Sequence, residues 1–375
     1  MISNYRITCL TLAYLFVFSL SAFGQINSDT KLKWYDARDF RVEGKGWSDV
    51  ANFYDRLPAK AEKSVRAEIW RLAQNSAGIS IGFIANAESI SVRWKLRAAN
   101  LALPNMTATA VSGVDLYVKE NGKWLWAGVG KPDKSSVNEQ KVISNMARKN
   151  REYKLYLPLY NGVDSVEIGL PETATVSAAT FNQKRSLKPV VFYGTSIVQG
   201  ASASRAGMAY PAILERKLNR SVINLGFSGN CKMENEVAEL LAEIDAAAFF
   251  IDCLPNLADG PEVEEKTPKL IEILRRRRLQ TPIILVENIK YPDVFIEERK
   301  SKIYQEKNVA LRRVYNRFVS SKTKNIFYIS SENLIGEDSE ATIDGVHPTD
   351  LGFMRMVSIF EPLLKKILNK TNYSN

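Results

Sequence analysis

Five short apolar runs in the second half of the chain, each followed by a stretch of helical periodicity, constrain this fold more than any other feature. The runs lie at 190–193, 221–225, 247–251, 283–286 and 326–329. They do not alternate apolar with polar residues, so each reads as a strand buried on both faces. The helical stretches occupy 210–218, 234–243, 267–277, 297–320 and a last segment from about Thr349. Strictly alternating β and α elements imply a parallel sheet covered by helices on both sides. Right-handed crossovers make it a three-layer α/β sandwich.

Before about residue 185 the pattern is different. Segments 79–84, 89–96, 114–118, 124–128, 153–157 and 166–170 are short and alternating, with turn residues between them. Asn121-Gly122 between two such runs is a strong hairpin signal. This half is expected to be an all-β sandwich or jelly roll, with 59–73 as one helix within it. Residues 171–189, rich in Ala, Thr and Ser, read as the joint. The expected organisation is a β-domain over 26–185 and an α/β domain over 186–375, each of ordinary domain size.

Residues 1–24 read as a cleaved secretory signal. One positive charge, Arg6, precedes the mostly apolar run 10–20, and Ala22-Phe23-Gly24 has the small-x-small form of a cleavage site. That run is short for a permanent span, and no later segment reaches ~18 uninterrupted apolar residues. A periplasmic or secreted protein without a stable membrane span is expected. In such a compartment Cys231 and Cys253 can pair, and both fall at expected strand ends; two buried free thiols fit the sequence as well. One histidine and two thiols make a zinc or haem site improbable, so no metal or cofactor is expected.

The net charge of +10 is concentrated in residues 1–185, which hold 25 Lys and Arg against 17 Asp and Glu. An anionic glycan or envelope surface would suit that excess, although solvated surface lysines are the simpler explanation. The basic run 275–278 closes an expected helix, where cations complement the helix dipole, so it does not imply nucleic-acid binding.

The single histidine, His347, lies in Asp344-Gly345-Val346-His347-Pro348, just before the last helix. Histidine is the usual general base near neutral pH. Ser196 follows the first strand in Gly194-Thr195-Ser196-Ile197, at the carboxyl edge where open α/β sheets hold their ligands. The sequence is not the G-x-S-x-G elbow, because Val198 stands two residues on. The second strand ends in Asn224-Leu225-Gly226-Phe227-Ser228-Gly229-Asn230 and the third in Asp252-Cys253-Leu254-Pro255-Asn256. This set suits acyl transfer. Ser196 would be the nucleophile, His347 the base and Asp344 the group that orients the imidazole. The N–H groups of Ser196 and Gly226 and the Asn256 amide would form the oxyanion hole.

These four blocks resemble the SGNH/GDSL hydrolase superfamily over residues 186–375. The front half, with Gly113-Val114-Asp115-Leu116-Tyr117, resembles the β-domain that precedes the hydrolase domain in a secreted bacterial subgroup. The resemblance implies a flavodoxin-like hydrolase domain with a jelly-roll partner. It also implies an esterase similar to those that deacetylate carbohydrates. Thr195 departs from the usual Asp of Gly-Asp-Ser; that position does not supply the triad acid, so the departure bears on how the nucleophile loop is held.

The expected activity is therefore a secreted serine esterase that removes acetyl groups from oligo- or polysaccharide. A lipid acyl esterase or a non-catalytic glycan-binding protein would be the alternatives. If the front half recognises polymer, its strands must run near Ser196. All six tryptophans lie there (Trp34, Trp47, Trp70, Trp94, Trp124 and Trp126), read mostly as core.

Overall fold

The structure is a computed structural model that describes residues 31–179 and 187–372. The expected signal segment and the middle of the joint lie outside the described residues.

In the front half the strands are β1 (Leu32–Asp36), β2 (Arg41–Glu43), β3 (Ser80–Ala85), β4 (Ile90–Leu96) and β5 (Val114–Glu120). They continue with β6 (Lys123–Gly130), β7 (Val137–Ile143), β8 (Arg151–Tyr156), β9 (Val163–Pro171) and β10 (Val176–Ala178). One antiparallel sheet has the order β1-β9-β4-β7 and the other β10-β3-β8-β5-β6, with β2 also on β3. The inward residues of both, including Ile81, Phe83, Val92, Trp94, Tyr153 and Ile168, form one core. Asn121 and Gly122 both take positive φ (49° and 76°), the conformation a type I′ hairpin requires.

The expected helix over 59–73 is two pieces: a 3₁₀ turn, Ala59–Lys63, and helix α1 (Ala67–Ala73). The N–H groups of Ser64 and Val65 both turn back to Ala61 O, closing the first piece before the second begins. A short α2 (Ala108–Val111) precedes β5. Trp94 is core as expected, while Trp126 is 52% exposed and its indole N–H donates to Asp115.

The second half holds a parallel sheet of β11 (Val190–Gly194), β12 (Val222–Gly226), β13 (Ala248–Asp252), β14 (Ile283–Val286) and β15 (Ile326–Ile329). Its order is β12-β11-β13-β14-β15, so the chain reverses direction across the sheet at β11 and β13. Crevices at such switch points are where doubly wound sheets bind ligands. Helices α4 (Tyr210–Leu218) and α8 (Asp350–Asn372) cover the face carrying Phe192 and Phe250. Helices α5 (Asn235–Glu243), α6 (Gly260–Arg277) and α7 (Glu298–Ser320) cover the face carrying Tyr193 and Phe249. Helix α6 starts seven residues before the expected 267, because Asp259 caps it by accepting the Glu262 N–H. Among the described residues no helix is long and apolar enough to cross a membrane.

The two halves are not beads on a string. From Leu32 onward the described residues form one compact unit. Leu57, Ile69 and Leu72 of the front half pack into the core on one face of the parallel sheet, and Met106, Tyr117 and Tyr156 into the other. Polar links reinforce the seam. Lys154 on β8 pairs with Glu43 at 3.0 Å and with Glu215 on α4 at 2.9 Å, all three side chains being buried or nearly so. Asp115, fully buried, accepts from Arg205 Nη1 and Gly207 N–H, both at 2.8 Å. Tyr117 accepts from the same arginine. The Gly-Val-Asp-Leu-Tyr segment is thus a clasp on the stretch that follows the nucleophile turn.

Candidate active site

Ser196 opens a four-residue helix, α3 (Ser196–Gln199), directly after β11. Thr195, standing where the usual motif has Asp, caps this turn: its hydroxyl accepts the Ile197 N–H at 3.3 Å. Its own N–H donates to Asp252 O at the end of β13. As the first residue of α3, Ser196 has no intrahelical acceptor for its N–H, which has no partner among the described residues.

The structure brings Ser196, His347 and Asp344 together. Ser196 Oγ lies 2.9 Å from His347 Nε2, and His347 Nδ1 lies 2.7 Å from Asp344 Oδ2. The other carboxylate oxygen, Oδ1, accepts the N–H groups of Val346 (3.1 Å) and His347 (2.8 Å). Partial burial works against ionisation of Asp344, but hydrogen bonds from the backbone and ring of His347 outweigh it and hold the carboxyl below its ordinary range. An ionised carboxylate only accepts, so Nδ1 carries the hydrogen and Nε2 presents its lone pair to the serine hydroxyl. That is the tautomer a base for Ser196 needs.

Asn256 ends the 3₁₀ turn Leu254–Asn256 that follows β13. Its Oδ1 accepts the Cys231 N–H at 3.1 Å, which leaves Nδ2 with its hydrogens uncommitted. Cys231 and Cys253 form a disulfide, Cα to Cα 5.3 Å, joining the turns after β12 and β13. Of the two alternatives open in the sequence, the structure has the bridge.

Gly226 does not fill the place expected of it. Its N–H donates to Asn224 Oδ1 at 2.9 Å in a buried setting and is not free for an oxyanion. Glycine is needed there for another reason: a Cβ would sit 2.2 Å from Gln199 N, so the residue lets α3 lie against β12. Three residues on, Gly229 is exposed, takes φ +69°, and its N–H has no partner among the described residues. Among the described residues, uncommitted donors at this edge are therefore the N–H groups of Ser196 and Gly229 and the Asn256 amide.

Other residues shape the site without any local sequence signal. Arg56 of the front half is fully buried and donates to four carbonyls: Leu72, Asn75, Asn224 and Gly226. Burial pushes its guanidinium down to about 9, which leaves it charged at neutral pH. Tyr160 reaches Ser196 O at 3.4 Å. Gln199 links Asn75 and Leu159 O on one side to the Ser228 N–H on the other. Lys307 on α7 donates to Leu254 O and Leu257 O, bracketing Asn256, and burial lowers it to about 8. The front half thus approaches the nucleophile through loops, not strands. Its tryptophans do not gather at the nucleophile: Trp94 is core, Trp47 donates to Glu243, Trp70 packs against the core on one face of the parallel sheet, and Trp34 lies under the Arg93 guanidinium.

A serine, an imidazole and a carboxylate in this order, at the switch point of a 2-1-3-4-5 sheet, define a serine hydrolase of the SGNH kind. The GDSL-like lipase/acylhydrolase family matches residues 187–365, and the N-terminus of SGNH-hydro-type esterases, GxDLY, matches 32–176. Among solved structures, a protein of Bacteroides ovatus ATCC 8483 described as a GDSL-like lipase is 37% identical. The match covers 90% of this chain and 98% of that one, with a TM-score of 0.85. The chain belongs to the GDSL-like lipase/acylhydrolase family and is an esterase or acylhydrolase of that type. Two more distant structures share the fold. The salicylyl-acyltransferase SsfX3 of a tetracycline biosynthetic pathway is 14% identical, covering 90% of this chain and 97% of that one, TM-score 0.71. A family two carbohydrate esterase from Cellvibrio japonicus is 13% identical, covering 90% and 98%, TM-score 0.56. A search of curated proteins gives no match.

Proposed function

We propose that this protein is a secreted esterase that removes acetyl groups from carbohydrate through Ser196, His347 and Asp344. The observation that carries the reading is the continuous hydrogen-bonded path from Ser196 Oγ through the imidazole to Asp344, at 2.9 and 2.7 Å. Ser196 Oγ attacks the ester carbonyl carbon as its proton passes to His347 Nε2. The tetrahedral oxyanion is met by Ser196 N–H, Gly229 N–H and Asn256 Nδ2. Collapse expels the alcohol, which takes the proton from Nε2, and water then releases the acid from Ser196 by the same route.

A carbohydrate alcohol is supported by two things. The fold is shared with carbohydrate esterases, one of them, from Clostridium thermocellum, described in complex with cellohexaose. A cleft of about 510 Å³ also lies beside the triad loop, between Leu103–Thr107 of the front half and Ser202–Ser204 and Asp350 of the other, with Asn105, which donates to Asp344, in its wall. One observation favours a longer acyl chain instead. The loop tied to Gly345 through Lys300 and Asp293 exposes Phe295 (79%) and Ile296 (72%). Acetate release from a panel of acetylated polysaccharides, set beside an acyl-length series of chromogenic esters, decides between them. Turnover of acetylated glycan with a steep fall beyond acetyl is expected; a preference for long acyl chains without acetate release overturns the carbohydrate reading.

A further inference from the structure

Asp344 Oδ2 holds a second donor besides the imidazole. The side-chain amide of Asn105, 239 residues away in sequence, donates to Asp344 Oδ2 at 3.2 Å, and its nitrogen lies 3.5 Å from His347 Nδ1. Asn105 sits in a tight turn closed by reciprocal backbone bonds between Leu103 and Met106, 3.1 and 3.0 Å. Met106 is buried in the core beside the parallel sheet. The hydroxyls of Thr107 and Thr109 both donate to Ser204 O, eight residues past the nucleophile. The turn is therefore fastened on both sides of the amide.

We propose that Asn105 is a positioning residue for the triad: its amide fixes the carboxylate that orients His347, so the triad is complete only with the front half docked. Oδ1 is already tied by two N–H groups of its own loop, and the imidazole takes one lone pair of Oδ2. Asn105 takes the other. With it gone, Oδ2 opens to water, because the Asp344 side chain is 37% exposed. The carboxylate then tilts and the ring loses its fixed plane. The amide also withdraws charge from the carboxylate, tempering its grip on imidazolium. Other charges close to this loop, among the described residues, are the Lys300–Asp293 ion pair, whose ammonium donates to Gly345 O at 3.0 Å, and Asp350, which lines the same cleft as Asn105 and accepts from Ser204 N–H and Oγ.

The proposal rests on the serine-esterase reading, and its test is chosen to fail separately. In the full-length protein, hydrolysis of a short-chain acetate ester is followed across pH for Asn105→Ala, for the near-isosteric Asn105→Asp, and for both in an Asp344→Asn background. A hydrogen bond to a charged group corresponds to roughly ten- to hundredfold in rate. Asn105→Ala should lose about that much kcat with little change in KM, and its acidic limb should move to higher pH. Asn105→Asp should move the limb further, since a second carboxylate stabilises imidazolium more. In Asp344→Asn either change should cost less than about twofold, because the amide acts through the carboxylate. Wild-type kcat and pH profile in both variants, or a loss repeated in full on Asp344→Asn, overturns the proposal. Should the alanine variant fail to fold, the aspartate variant alone decides by its limb. Full activity in Ser196→Ala would instead overturn the reading beneath it.

Discussion

Asn256 offers a way to separate transition-state stabilisation from loop holding, because its two side-chain heteroatoms do different things. Oδ1 accepts the Cys231 N–H at 3.1 Å, and Nδ2 is uncommitted. Asn256→Ala removes both functions. Losing a preorganised oxyanion donor costs about 3 kcal/mol, or roughly 10²-fold in kcat. Freeing the Cys231 N–H costs about 1 kcal/mol of stability at most, since Asn256 is only partly buried and water can replace it. Asn256→Asp keeps the acceptor and the shape but points a carboxylate oxygen at the developing negative charge. The expected order of kcat is wild type, then Ala, then Asp, with KM nearly constant, while thermal unfolding ranks Asp above Ala. Steady-state kinetics on a chromogenic acetate ester, with unfolding followed by circular dichroism, measures both. An aspartate variant as active as the alanine one, or changes confined to KM, would refute the assignment of Nδ2 to the oxyanion.

Three further outcomes are expected. Burial pushes the Asp252 carboxyl up to about 7 from 3.8, so the folded state holds a proton between those values that the unfolded chain releases, and stability falls as pH rises through that window. Asp252→Asn should be near neutral at pH 4 and stabilising by up to roughly 4 kcal/mol at pH 8; equal unfolding shifts at both pH values contradict this. Asp115→Ala strands Arg205 and the Gly207 N–H at the seam and should lower stability by about 3 kcal/mol in denaturant unfolding, whereas a neutral result denies the clasp. Replacing Cys231 and Cys253 by serine opens a link spanning 22 residues and should cost about 3 kcal/mol, with kcat falling more than KM because the bridge joins the two donor turns; a thermal midpoint insensitive to the change speaks against it.

The parallel sheet was legible because strands buried on both faces leave uninterrupted apolar runs, as in β13, Ala-Phe-Phe-Ile-Asp. Strand β7, Val-Asn-Glu-Gln-Lys-Val-Ile, was not: it is a mostly polar edge strand with little buried surface to impose a pattern. Strands β2 and β10, three residues each, are too short to show a period. The residues that meet at the site were legible where local motifs hold them, Asp344 and His347 being three apart and joined through the backbone. Within 224–230 the sequence offers two glycines, and only the Asn224 side chain, folded back onto Gly226, shows which N–H is consumed. Arg56, Asn105, Tyr160 and Lys307 carried no signal because their partners lie between 16 and 239 residues away. Such contacts are properties of the packed tertiary structure, not of any segment.

The most direct test of the account is where an active-site-directed fluorophosphonate attaches. Incubated with the full-length protein and mapped by peptide mass spectrometry, the label should add one equivalent at Ser196. Labelling should slow by at least ~10³-fold in His347→Ala, since the chain has no second histidine to act as base. A label on another residue, or on Ser196 at an undiminished rate without His347, would contradict a nucleophile activated by this triad.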